Sequence, residues 1–580
     1  MKKKKKNSKK NSPHFLLFNS LIALKNKFST YIYLLLIIIV GFYLRTFNVN
    51  WDGGFYFHPD ERAIVMFTVP LQLPKNLNEF LSPASHLNPH FFAYGNFPLY
   101  ILRFFSELAS HIDPAFKEYS QMYVVGRIIS ASFDTFTIFV VFLLASSIFS
   151  KRTGLFAALS YALFVFPIQS SHFFTVDTML TFFMTGVLLL LVSIANNRSS
   201  TLFVFLGLFY GLALATKISA FVIFPLIFGL FFILLFRSSK KRGAQLYLLK
   251  KIFLFVATTL LIFVVTQPYA LIDFQEFVKQ TVAQSQMSKD PFVFPYTLQY
   301  VGKIPFLYEF LNIFLWGVGP LMGIFFLLGF IKLFRSTLKK GVQSLQTVIV
   351  IVYFLFYFIL FGSFAVGWMR YMLPIYPILA LFCGWLISEQ ILTHFKPVNY
   401  ATKKFMLFLF LIIVLLYPVS FITIYTKPNT RIQASNWINN NIPYGSSLAV
   451  EHWDDALPVY GMMNYQQITL PLYDRDTPAK WQEINQKLKT SDYIIIASKR
   501  LYIPLQKLTD CKKLPSYRCY PITARYYKDL FSGKLGFSKV AEFVEYPTIP
   551  FINFKINDFS SDETFTVSDH PKVMIFKKTH

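Results

Sequence analysis

The sequence predicts a polytopic α-helical membrane protein with a small α/β domain at its C-terminal end. Three observations carry this. Apolar runs of about 20 residues, the length that crosses a bilayer's hydrocarbon core, recur through residues 31–426. Only 15% of the 580 residues are charged while 69 are Phe, a composition foreign to a soluble enzyme. From about residue 427 the chain takes on the composition of a soluble domain.

Eleven apolar segments are centred near residues 39, 138, 160, 186, 208, 227, 260, 319, 356, 381 and 415. The first, "YIYLLLIIIVGFYLRTF", lacks a small-x-small cleavage site and reads as a retained anchor. Stretches 1–30, 151–153, 196–200, 237–251, 332–345 and 392–404 together hold 25 Lys and Arg and no Asp or Glu. Basic residues near span ends stay on the cytoplasmic side. The net charge of +27 is therefore a topology signal rather than a sign of nucleic-acid binding, with the "MKKKKK" tail drawn to anionic lipid. The pattern closes on a basic cytoplasmic tail (1–30), a transmembrane catalytic domain (31–426) and an extracytoplasmic α/β domain (427–580). It requires that "FPLYILRFFSELAS", 97–110, lie at the outer interface without crossing, since 14 residues are too few to span.

Within the C-terminal domain, "RIQASNWINNNIP" reads as an amphipathic helix, and "SLAVEHW", "DYIIIAS" and "TFTVSDHPKVMIFKK" read as strands. Cys383 sits in an apolar span as core filling. Cys511 and Cys519 fall in the external domain, where a disulfide is permitted, but spacing does not decide whether they meet. No Walker loop, GxSxG elbow, dinucleotide fingerprint or Cys/His zinc spacing is present.

The outer side is where acids gather. A long first loop, 48–125, carries Asp52, Asp60, Glu61, Glu79, Glu107, Asp113 and Glu118 against four basic residues; a second loop, 168–178, brings His172 and Asp177 to the same side. Carboxylates beside a membrane are costly unless solvated, paired or used. Asp60, Glu61 and Asp177 are thus candidate catalytic groups, one as general base and another orienting the acceptor. The competing reading of "HPDERA" is helix capping, and that of "TVDTM" is a cap or a pairing with a basic residue. Asp60, Asp177 and His58 are also the candidate ligands of a divalent cation, the sole cofactor considered. Outer basic residues are scarce, so Arg127, Lys217 and Arg370 stand out as phosphate-binding candidates, against snorkelling to lipid phosphates. The acidic and aromatic "EHWDDALPVY", 451–460, reads as a surface turn, with sugar contact as the alternative.

Taken in order, "FHPDERA", "GNFPLYIL", "GRIISASFD", "SSHFFTVDTMLTFF", "ATKISA" and "RYMLPIYP" resemble the membrane glycosyltransferases of the C-type (GT-C) fold, across residues 30–425. The nearest group is that of the family 39-like protein O-mannosyltransferases and aminoarabinose transferases of prokaryotes. The resemblance implies a polyprenyl-monophosphate sugar donor, a protein, lipid or glycan acceptor, and inversion at the anomeric carbon, with Asp60 as general base and Asp177 as the second-loop acid. Where aminoarabinose transferases carry a lysine before Pro-Pro-Leu, this chain reads "YGNFPLY", which argues against a lipid A acceptor. A transporter or flippase for a lipid-linked or small anionic substrate is the alternative from another class; it calls for helix breaks at matching midplane positions in two repeated halves, and the sequence has no such repeat.

Overall fold

The structure, a computed structural model, describes residues 13–238, 242–339, 344–394 and 400–579. The lysine run of the tail and parts of three of the basic stretches lie outside these residues. Among the described residues nine helices are long and apolar enough to cross a membrane. A tenth candidate is the pair Lys151–Ala162 and Val165–Ser171, bent by 58°; Pro167 falls in the first turn after the bend, where its missing N–H costs nothing. The 17-residue apolar helix Ser200–Thr216 completes the eleven segments expected. One is displaced. The run centred on residue 319 is broken there, because Gly319 adopts a φ of +82° that ends one helix and lets the span Pro320–Lys339 begin. Hydropathy merges the two pieces; backbone geometry separates them.

The span Met369–His394 is the centre of the bundle, with 94% of its 18-residue apolar window buried inside the protein. Polar groups inside the bundle are paired. Arg45, at the end of Pro13–Thr46, is fully buried. Its Nε donates to Asp134 at 2.6 Å, and its remaining nitrogens donate to the carbonyls of Gly41, Ala162 and Tyr161. The Tyr161 hydroxyl donates to the other Asp134 oxygen at 2.5 Å. One ion pair therefore joins three helices, with every polar contact satisfied from protein.

The segment 97–110 forms the helix Asn96–Ala109, with Leu99 and Leu102 buried and Phe104, Phe105 and Leu108 exposed. That face is what an interfacial helix offers to lipid.

Beyond residue 426 the chain builds a five-stranded sheet of order β2-β1-β3-β7-β4: β1 (Ser447–Glu451), β2 (Gln466–Leu470), β3 (Tyr493–Ile496), β4 (Phe537–Phe543) and β7 (Val573–Lys578). β1 runs parallel to β2 and β3, and β7 antiparallel to β3 and β4. Alternation sets the two faces. Ile494, Ile496, Met574 and Phe576 pack with the helices Pro478–Thr490 and Pro521–Phe531, while Leu448, Val450, Ile495 and Ile575 pack with Thr430–Asn441. The hairpin β5 (Thr548–Ile549) and β6 (Phe554–Lys555) stands apart from this sheet. Cys511 and Cys519 form a disulfide. The strand expected over "TFTVSDHPKVMIFKK" is only half present. Asp562 caps a short helix, Glu563–Thr566, and Gln169 of the bundle donates to the Phe565 carbonyl at 2.6 Å, so the first half docks on the membrane helices instead.

Two predictions follow from buried charge. Asp134→Asn strands the Arg45 guanidinium and should destabilise the bundle by about 3 kcal/mol or more, read as a drop in Tm in detergent; the Arg45→Met, Asp134→Leu double variant should regain much of it. Glu451, at the end of β1, is buried with a single partner, the Tyr527 hydroxyl at 2.7 Å, and burial pushes its carboxyl up to about 8. The folded state then holds the proton more tightly than the unfolded chain. Its contribution is least unfavourable below the ordinary glutamate range and worsens as pH rises toward 8. Glu451→Gln should therefore raise Tm relative to wild type at pH 8.5 and change it little at pH 5.

Candidate active site

The first loop is organised by a cation. Arg127, near the start of Met122–Ile148, donates to both oxygens of Asp52 (2.9 and 2.7 Å), both oxygens of Glu61 (2.8 and 2.6 Å) and the Val49 carbonyl (2.8 Å). All three charged side chains are fully buried, and the guanidinium lies over the rings of Trp51 and Tyr123. This corrects two expectations. Arg127 is saturated by its own carboxylates and has no donor to give a phosphate. Glu61 is locked by Arg127 and by the Phe174 N–H at 2.8 Å, so it cannot act as a catalytic acid or base.

Asp60 and Glu61 open the helix Pro59–Thr68 and differ by one step of about 100° around its axis. Glu61 points in to Arg127, and Asp60 points into a cavity, where it forms an ion pair with Arg370. Arg370 follows Trp368, whose ring lies 5.1 Å under the guanidinium. Among the described residues its Nε is buried without a partner. Asp177, in the first turn of Val176–Asn196, accepts from the Lys217 ammonium at 2.9 Å. That ammonium lies between the rings of Tyr94 and Tyr371, at 5.6 and 5.2 Å. Tyr94 is brought there by Gly95: its N–H donates to the Thr216 carbonyl at 3.0 Å, and a Cβ at this position would fall 1.7 Å from the Ala215 carbonyl oxygen.

Two cavities of about 490 Å³ each meet at Tyr94, Asp177, Gln284 and Arg370. One, the more polar of the two, is bounded by His58, Asp60 and Gln169 of the bundle and by Trp453, Arg500 and Glu563 of the C-terminal domain. The other is bounded by Lys217 and Tyr371 at the waist and by Phe356, Leu360 and Phe361 below. From Pro225 and Phe356 a further apolar cleft of about 220 Å³ continues between Phe224–Ser238 and Leu345–Gly362. Asp60, Asp177, Lys217 and Arg370 are thus brought together around one waist.

His58 lines the polar cavity against the Phe173 ring, and burial, then Arg370, hold its imidazole well below its usual range and neutral. His172 is structural, with both ring nitrogens bonded to the carbonyls of Ile168 and Phe47 and its ring stacked on Tyr425. Among the described residues no three His, Cys, Asp or Glu side chains come together as ligands for a metal ion. Asp60, Asp177 and His58 do not form such a set, and each of the two acids already has a cationic partner. The "EHWDD" stretch, read as a surface turn, instead contributes Trp453, Asp454 and Asp455 to the cavity wall. Arg500 and Glu563, joined at 2.8 Å, carried no sequence signal; they sit far apart in ordinary soluble sequence.

Comparison with known proteins bears on this arrangement. Residues 115–268 match the family described as dolichyl-phosphate-mannose-protein mannosyltransferase. No curated protein matches the chain in sequence. Among solved structures, the oligosaccharyltransferase AglB from Archaeoglobus fulgidus, in complex with an inhibitory peptide and a dolichol-phosphate, is similar over 95% of this chain and 89% of its own, with a TM-score of 0.51 at 12% identity. The apo form of the A. fulgidus enzyme gives a TM-score of 0.50 at 13% identity over the same shares. ArnT from Cupriavidus metallidurans bound to undecaprenyl phosphate aligns over 94% of this chain and 97% of its own, at 12% identity and a TM-score of 0.47. The fold is that of the C-type membrane glycosyltransferases. The chain is a multi-pass membrane protein by its apolar helices, and over residues 115–268, from its second to its seventh apolar segment, it is similar to the protein mannosyltransferases.

Arg127→Met should leave Asp52 and Glu61 buried without their cation and cost about 3 kcal/mol or more of stability. The checks are a lower Tm and protease cleavage within residues 48–60 of the detergent-solubilised protein, which wild type resists.

Proposed function

We propose that this enzyme moves a sugar from a polyprenyl-monophosphate donor to an acceptor hydroxyl, with inversion at the anomeric carbon. The observation that carries this is the waist, where the ion pairs Asp60–Arg370 and Asp177–Lys217 stand between a polar and an apolar cavity. A prenyl tail fits the apolar cavity and the cleft beyond it. That leaves the phosphate at the waist, where the free Nε of Arg370 and the Lys217 ammonium can donate to its oxygens. The polar cavity, roofed by the C-terminal domain, is left for the sugar and for an acceptor protein, lipid or glycan. The dolichol-phosphate and peptide bound by the archaeal relative are in keeping with such a donor and acceptor.

In the transfer step the acceptor oxygen attacks the anomeric carbon as Asp60 takes the hydroxyl proton. The bond from that carbon to the phosphate oxygen breaks on the opposite face, and the phosphate leaves carrying the bonding pair. Arg370 and Lys217 stabilise the charge that develops there. Asp177 orients Lys217, and neutral His58 is placed to hydrogen-bond a sugar hydroxyl. We assign the catalytic role to residues 31–426, with 427–580 and the loops 48–125 and 168–178 extracytoplasmic. This orientation rests on the basic stretches at the opposite span ends.

The test is transfer from radiolabelled polyprenyl-phosphate hexoses in nanodiscs. Asp60→Asn should lower kcat by about two to four orders of magnitude while labelled donor still binds. Equal transfer by Asp60→Asn and wild type would remove the base assignment. Movement of labelled lipid across vesicles without any product would favour transport.

A further inference from the structure

The hairpin β5–β6 ends in the tip "PFINF", residues 550–554. Phe551 is fully exposed, Ile552 is 69% exposed and Phe554 60%, the largest run of uncovered apolar side chains in the C-terminal domain. Phe551 also sits at a φ of +70°, a conformation that a bulky L residue avoids. A polar residue or glycine would satisfy this turn better and would keep the surface wettable. Folding of the domain does not account for the choice.

The stem of the hairpin fixes where the tip lies. The Thr548 N–H donates to the Thr423 hydroxyl at 3.0 Å, and β5 packs on Tyr400–Ile422, the last helix of the bundle. Residues 423–426 form the turn in which that helix ends. Beside it, Lys427 pairs with Glu545 at 2.9 Å, and Lys555 is exposed at the base of β6. The hairpin therefore leaves the domain at the level where the last span emerges from the bilayer. Aromatic and large aliphatic side chains flanked by lysine are what a headgroup layer accepts.

We propose that the tip of β5–β6 is a membrane anchor, with Phe551, Ile552 and Phe554 inserted among the headgroups and upper acyl chains of the leaflet nearest the C-terminal domain. Its consequence reaches the active site through the chain itself. β6 runs on to Asp558, which accepts from His570 Nε2 at 2.8 Å, then to Asp562, which accepts from the Tyr308 hydroxyl at 2.6 Å, and to Glu563 on the cavity wall. Anchoring the hairpin sets the height of that wall above the bilayer. The inference needs only that the helical bundle spans a membrane, and stands apart from the identity of the substrates.

The experiment uses the full chain in nanodiscs, in a Cys383→Ser background that leaves the Cys511–Cys519 disulfide in place. An environment-sensitive fluorophore is attached at Phe551→Cys. Blue-shifted emission, quenching by lipids with a nitroxide near the headgroup and protection from aqueous iodide are expected. The same probe at Met463→Cys, 98% exposed in the same domain, serves as the aqueous reference. If Phe551→Cys does not fold, Ile552→Cys gives the same readout. A probe at the tip that iodide quenches as freely as it quenches the Met463 site, and that nitroxide lipids leave untouched, would overturn the anchor and mark the tip as a surface for a soluble partner.

Discussion

The active end of the molecule is suspended from one guanidinium. Arg127 meets two carboxylates in a fully buried site, so the group carries a residual negative charge that must be spread over further donors. Those donors are backbone N–H groups: Gly54 and Tyr56 to Asp52, and Phe174 to Glu61. Removing three charges from water is expensive, and hydrophobic replacements of such groups often leave stability unchanged or raise it. What the charges provide is connection. The same five hydrogen bonds tie the loop after the first span, the helix that carries Asp60, and the second span; the Phe174 N–H adds the loop ahead of Asp177. Both loops that line the waist take their position from this one buried group.

From that fixed frame the waist gains its chemistry. Each acid there faces one cation, and both cations rest against aromatic faces, Arg370 on Trp368 and Lys217 between Tyr94 and Tyr371. Aromatic faces hold a cation without neutralising it. The cations thus keep donors and field for an incoming anion. Apolar walls on one side and a polar chamber on the other give the site a direction as well as a charge.

How much of this was readable in the sequence depended on range. Spans were readable because an 18- to 20-residue apolar run is a local signal; the break at Gly319 was not, because hydropathy carries no information about φ. Asp60 and Asp177 stood out as acids on one side of the membrane. Sequence could not separate Asp60 from Glu61, since only a helical step and a partner 66 residues away decide which of them faces the cavity. Arg127 was misread for the same reason. An arginine near a span end looks alike whether phosphate or two carboxylates await it, and its partner Asp52 lies 75 residues distant. Trp453, Arg500 and Glu563 were the least readable, because nothing in a soluble-looking stretch announces that it will be folded back over a membrane cavity.

That folding back is held by polar groups as well as by apolar contacts such as that of Phe565 on Phe421. Arg431 donates to the Val567 carbonyl at 2.5 Å and pairs with Asp454 and Asp455. Asn429 donates to the carbonyls of Ser568 and Asp569, and Gln169 and Tyr425 donate to the Asp569 carboxylate at 2.9 Å each. At the centre, His570 is clasped between Asp569 and Asp558. Burial alone would lower its imidazole, yet the two carboxylates prevail and raise it to about 10, so it is an imidazolium at neutral pH. A histidine raised in the folded state contributes fully below its ordinary range and loses that contribution only as pH climbs through the raised value. Across the interval where histidines usually switch, this clasp keeps its charge. The roof over the polar cavity is accordingly tied down by a buried polar cluster that joins the C-terminal domain to the bundle.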